Sequence, residues 1–78
     1  MSNHSRLTHV IAEVERTLST EPGFSWLLRS DNEHGYFANI TGARRSGGGM
    51  EYYPAYAAAA AEALEASLGA YLEAAGDH

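Results

Sequence analysis

The sequence predicts a small α+β domain of order α-β-β-(β)-α, with a small antiparallel sheet and two helices on one of its faces. Three observations carry this reading. A segment of helical period, Leu7 to Leu18, opens the chain, and an alanine-rich one, Pro54 to Ala75, closes it. Between them lie two short runs of alternating polarity, Phe24 to Ser30 and Tyr36 to Thr41. The 78 residues suffice for one domain, 1–78, and one sheet face is the simplest place for two one-sided helices. The ends, 1–5 and 76–78, are expected to fray.

In the first helix, Leu7, Val10, Ile11, Val14 and Leu18 recur at the spacing of one helical stripe. Ser5 is the expected N-cap, its hydroxyl accepting an orphan backbone N–H. Glu21-Pro22-Gly23 should end the helix in a type II turn, since proline fixes φ and glycine accepts a positive one. Phe24, Trp26 and Leu28 then alternate with Ser25, Leu27 and Arg29, the period of a half-buried strand. Asp31-Asn32-Glu33-His34-Gly35 reads as a five-residue hairpin loop. In the second strand, the face of Tyr36, Ala38 and Ile40 is expected to be the buried one.

Residues 42–49 hold four glycines and the adjacent Arg44 and Arg45, and read as a flexible loop. Met50-Glu51-Tyr52-Tyr53 is a candidate third strand. Pro54 suits the first position of the closing helix, where its missing N–H is harmless. That helix should run to about Ala75 and stop at Gly76. Leu64, Leu68, Tyr71, Leu72 and Ala75 form its apolar side, and Gly69 marks a close contact.

Composition excludes several functions. There is no cysteine, hence no disulfide framework, thiolate zinc site or cysteine nucleophile. His4, His9, His34 and His78 show no i, i+4 pairing for a metal, and no serine lies in a G-x-S-x-G elbow. No cofactor is expected, and a small-ligand or metal enzyme ranks last among the readings. No apolar run is long enough to span a membrane, and the first residues lack the pattern of a signal peptide, so a cytoplasmic chain is expected.

The formal net charge is −5, and all five basic residues are arginine. Five acids and five arginines cancel over residues 1–50, so the net charge resides in 51–78, which has no lysine or arginine. An acidic surface repels phosphate and attracts cationic partners. The partner expected is therefore a protein with a basic surface rather than nucleic acid or membrane. Candidate contact residues are Glu62, Glu65 and Glu73 of the last helix, with Tyr52, Tyr53 and Tyr56 as anchors, because tyrosine buries much area at low entropic cost. Arg44 and Arg45 are a second candidate contact, to a partner's acids or to phosphate. The competing reading is a homodimeric scaffold packed through an Ala57–Ala61 helix face.

The element order resembles that of the double-stranded-RNA-binding domains. That family holds phosphates with a lysine-rich start to its last helix. The corresponding stretch here is Pro54-Ala55-Tyr56-Ala57-Ala58-Ala59-Ala60, with no cation, so RNA binding is not implied. An acidic, cysteine-free chain with a tryptophan-bearing hairpin and an alanine-rich helix also looks like small phage and mobile-element proteins, anti-CRISPR inhibitors among them. That resemblance rests on Phe24 to Thr41 and Tyr53 to Leu72. It implies a non-enzymatic inhibitor of bacterial or phage origin that occludes a basic surface.

Overall fold

A computed structural model describes residues 3–43 and 49–76. The elements run α1 (Asn3–Leu18), β1 (Phe24–Asp31), β2 (Gly35–Ala43), β3 (Met50–Ala57) and α2 (Ala60–Gly76). The fold is the α-β-β-β-α order read from the sequence, and the third strand is present. The sheet is an antiparallel meander in the order β1-β2-β3. Its two hairpins need only short connections, which keeps the topology simple.

One core joins all five elements. Val10, Val14 and Leu18 of α1 meet Phe24, Ala38 and Ile40 of the sheet, and Leu64, Leu68 and Tyr71 of α2. Both helices therefore lie on the Ile40 face of the sheet. Alternation decides which strand residues turn inward. Ala38 and Ile40 are fully buried while Phe37, Asn39 and Thr41 are only half-buried. Tyr71 is the aromatic centre, edge-on to Phe24 at 5.2 Å and to Tyr53 at 5.7 Å between centroids.

Alanine explains how α2 seats. Ala61 and Ala63 are buried, and so small a side chain lets the helix backbone come close to β2 and β3. Ser67 then reaches the sheet backbone. Its hydroxyl accepts from Ile40 N–H at 3.0 Å and donates to the Tyr53 carbonyl at 2.6 Å. One buried hydroxyl thus ties α2 to both β2 and β3.

Several local readings need correction. α1 already starts at Asn3, so Ser5 is inside its first turn rather than capping it. A turn does form at Pro22-Gly23, closed by Phe24 N–H donating to the Glu21 carbonyl at 2.9 Å. Gly23 does not have positive φ, so the turn is not type II. Glycine is needed there for space, because a Cβ would lie 2.7 Å from the Ala43 carbonyl oxygen. The hairpin loop is three residues, Asn32 to His34, because Asp31 pairs with Gly35. Gly35 has φ of 97°, the left-handed conformation glycine accepts without strain. Gly42 and Ala43 belong to β2, not to a loop.

The largest correction concerns the start of α2. Pro54, Ala55, Tyr56 and Ala57 continue β3, and the helix begins only at Ala60. Proline is tolerated because β3 is an edge strand, where a missing ladder donor costs little. Beside it, Tyr53 N–H donates to the Asn39 side-chain oxygen at 3.1 Å. Ala57 to Ala61 is consequently not a helix face: Ala57 is strand, Ala58 and Ala59 form a bend, and Ala61 is buried. Gly69 is exposed with open space around it, so it marks no close contact. Leu72 is exposed too, off the apolar side of α2.

Candidate functional site: the outer face of the sheet

With both helices on one side, the other side of the sheet is left uncovered by the described elements. Strand alternation and register decide what it carries. β1 turns Ser25, Leu27 and Arg29 outward, β2 turns Phe37, Asn39 and Thr41, and β3 turns Tyr52, Pro54 and Tyr56. Pairing sorts these nine positions into three cross-strand rows: Arg29–Phe37–Tyr56, Leu27–Asn39–Pro54 and Ser25–Thr41–Tyr52. Cross-strand neighbours of this kind lie close enough for their side chains to touch.

The first row is a stacked series. The Arg29 guanidinium lies 5.1 Å from the Phe37 ring centroid, within cation–π range. Phe37 and Tyr56 are 4.9 Å apart and tilted by 44°. His34, at the hairpin tip, extends the series, with its ring 4.5 Å from Tyr56. Asp31 holds His34 in place: its carboxylate takes the His34 backbone N–H at 2.8 Å and sits 2.7 Å from ring Nδ1. The His34 ring, and then its backbone N–H, hold the Asp31 carboxyl below the ordinary aspartate range.

Large apolar surface on this face is open to solvent. Tyr52 is 61% exposed, Tyr56 53% and Leu27 42%. Arg29 is the only charged residue among the nine outward positions. The face is therefore aromatic with one cation and, beside His34, the Asp31 carboxylate, inside a chain whose net charge is negative.

The site residues expected from sequence divide between two sides of the molecule. Tyr52 and Tyr56 are on the outer face. Tyr53 is half-buried on the helix side, packed against the core, and its hydroxyl donates to the Glu51 carboxylate. Glu62, Glu65 and Glu73 are exposed on α2, which packs on the opposite face of the sheet. The acids and the two exposed tyrosines thus do not form one surface. Nor are the acids without a counter-charge: Arg6 of α1 pairs with Glu65 and reaches Glu62 at 4.0 Å. Arg44 and Arg45 lie outside the described residues. The sequence reading missed Leu27, Arg29 and Phe37. Their strands were recognised, but only the pairing register brings Phe37 between Arg29 and Tyr56.

Among the described residues, no three His, Asp or Glu side chains come together as a metal site, and no helix is long and apolar enough to cross a membrane. A cleft of about 390 Å³ opens at the start of α2, between Arg6, Tyr36 and Ala58 to Glu62. Its two charged side chains, Arg6 and Glu62, face each other. Comparison with protein-family models, curated proteins and solved structures returns no match for this chain.

Proposed function

We propose that this chain is a non-enzymatic interaction module that docks a protein partner on the outer face of its sheet. The observation that carries this reading is the set of exposed Leu27, Tyr52 and Tyr56, with Tyr56 stacked on Phe37, on a face that neither helix covers. Contiguous exposed apolar surface is uncommon on a chain that acts alone, and aromatic anchors supply much of the energy of protein interfaces. The rigid strands hold these rings in fixed register, so little side-chain entropy is lost on docking. Arg29, poised on Phe37, adds one directed cation for a carboxylate on the partner.

A second reading keeps the acidic helix as the contact, as an inhibitor of the anti-CRISPR kind would use it against a basic surface. The exposure of Glu62, Glu65 and Glu73 on one helix favours it. Arg6 weakens it by answering Glu62 and Glu65. The two readings part cleanly by mutation. With tagged chain as bait in lysate of the source cell, Tyr52→Ser/Tyr56→Ser is expected to abolish capture of the partner, and Glu62→Ala/Glu65→Ala/Glu73→Ala to leave it intact. The reverse pattern, with binding that weakens as salt rises, would replace the first reading by the second.

A further inference from the structure

Among the described residues the sheet has two open edges, and they differ. β3 carries Pro54, which cannot donate to an added strand. β1 is eight residues long, Phe24–Asp31, without proline, and it pairs with β2 residue for residue. Natural proteins guard such edges with inward charges, bulges or prolines, because an open edge recruits another strand. Here both charges of β1 are turned to neighbours within the chain, Arg29 to Phe37 and Asp31 to His34.

Apolar surface lies along the same edge. Trp26 and Leu28 are only half-buried on the helix side, although they pack against the core. Leu27 is 42% exposed on the outer side. On α1, Arg6 reaches Glu62 and Glu65 of α2, and His9 and Glu13 line a cleft with Glu65 and Leu68. Ile11, half-buried, therefore lies on the flank of α1 away from α2.

We infer that two copies of this chain pair antiparallel through their β1 edges, about a two-fold axis at Leu27, joining two three-stranded sheets into one continuous sheet. The occupant of the edge is a second copy because β1 is complementary to itself in this register. Leu27 meets Leu27 on the outer face. Trp26 meets Leu28 on the helix side, twice. Arg29 faces Ser25, Phe24 faces Ser30, and no charge in the strand opposes a like charge. Each residue keeps its face, which a slip of one position would reverse. Such a two-fold contact is the commonest way a small chain closes an assembly. It also adds burial to a domain whose size, with no cysteine for a disulfide, limits its own core. The outer faces of the two copies become one surface, so the proposal is independent of which partner docks there.

The test uses the full chain. Sedimentation velocity is expected to show a dimer at tens of micromolar, and Leu27→Lys, which sets two cations opposite each other, to weaken association at least tenfold with unchanged circular dichroism. The absence of cysteine makes register directly readable. Leu27→Cys is expected to oxidise to a disulfide dimer. Ser25→Cys and Arg29→Cys should each stay uncrosslinked alone and crosslink when mixed. Tyr52→Ser/Tyr56→Ser is expected to keep the dimer. A chain that stays monomeric at hundreds of micromolar overturns the proposal. So does a dimer that Leu27→Cys and the Ser25→Cys/Arg29→Cys mixture both fail to crosslink, or one that the tyrosine variant dissolves. Should Leu27→Lys fail to fold, the cysteine variants decide alone.

Discussion

Ser67 is the one fully buried polar side chain among the described residues, and its position shows how a single hydroxyl is used twice. Removing it would leave the Ile40 N–H and the Tyr53 carbonyl without that partner in a closed site. Ser67→Ala is therefore expected to cost about 1–3 kcal/mol in chemical denaturation. Gly69 is the opposite case. It stands mid-helix with nothing near it, so Gly69→Ala should raise stability by about 1 kcal/mol. Asp31 links stability to pH. Its carboxyl is held below its ordinary value by His34, so the folded form favours the ionised state. That contribution is complete above the unfolded aspartate pKa, near 3.9, and is lost as pH falls through the lower folded value. Asp31→Asn should accordingly melt below the unmodified chain at neutral pH, with the gap closing in acid. Thermal unfolding across that range checks it.

At the scale of elements, what could be read depended on whether periodicity or punctuation dominated. The stripe of α1, the alternation of β1 and the buried face of β2 all follow from spacing of apolar residues, and these stand. The boundary between β3 and α2 does not follow from punctuation. Proline before an alanine run is the usual mark of a helix start, but Pro54 lies in an edge strand that tolerates it. The signal that would have found this was present: Tyr52, Pro54 and Tyr56 alternate with Tyr53, Ala55 and Ala57 straight through the proline. Glycine was read wrongly for a related reason. At Gly23 and Gly69 the sequence names the residue but not its surroundings, which come from Ala43 in one case and open solvent in the other. The true start of α2 makes a further expectation. Ala63 N–H bonds to the Ala59 carbonyl at 3.1 Å, which places Ala59 at the N-cap without a side-chain acceptor. Ala59→Asp should stabilise the chain by about 1 kcal/mol, readable as a raised denaturation midpoint.

For the whole molecule, the sequence revealed a charge asymmetry along the chain, and folding turns it into an asymmetry between faces. The acids of α2 gather on the helical side, partly answered by Arg6 from the other end of the chain. The opposite side is aromatic, with Arg29 its only cation among the outward strand positions and the Asp31 carboxylate at its edge held by His34. The candidate site was half legible for this reason: Tyr52 and Tyr56 stand out in composition, whereas Leu27, Arg29 and Phe37 matter only through register. The acids and tyrosines, adjacent in sequence, fall on different sides because a helix packs across the strand that precedes it. The central claim is that the aromatic face is the one a partner meets. Photo-crosslinking in the source cell tests this directly, with a benzophenone amino acid placed at position 52, 56 or 73 in turn. Adducts to one protein from positions 52 and 56, with none from 73, are the expected result. Adducts from 73 alone would contradict it and assign the contact to the acidic helix.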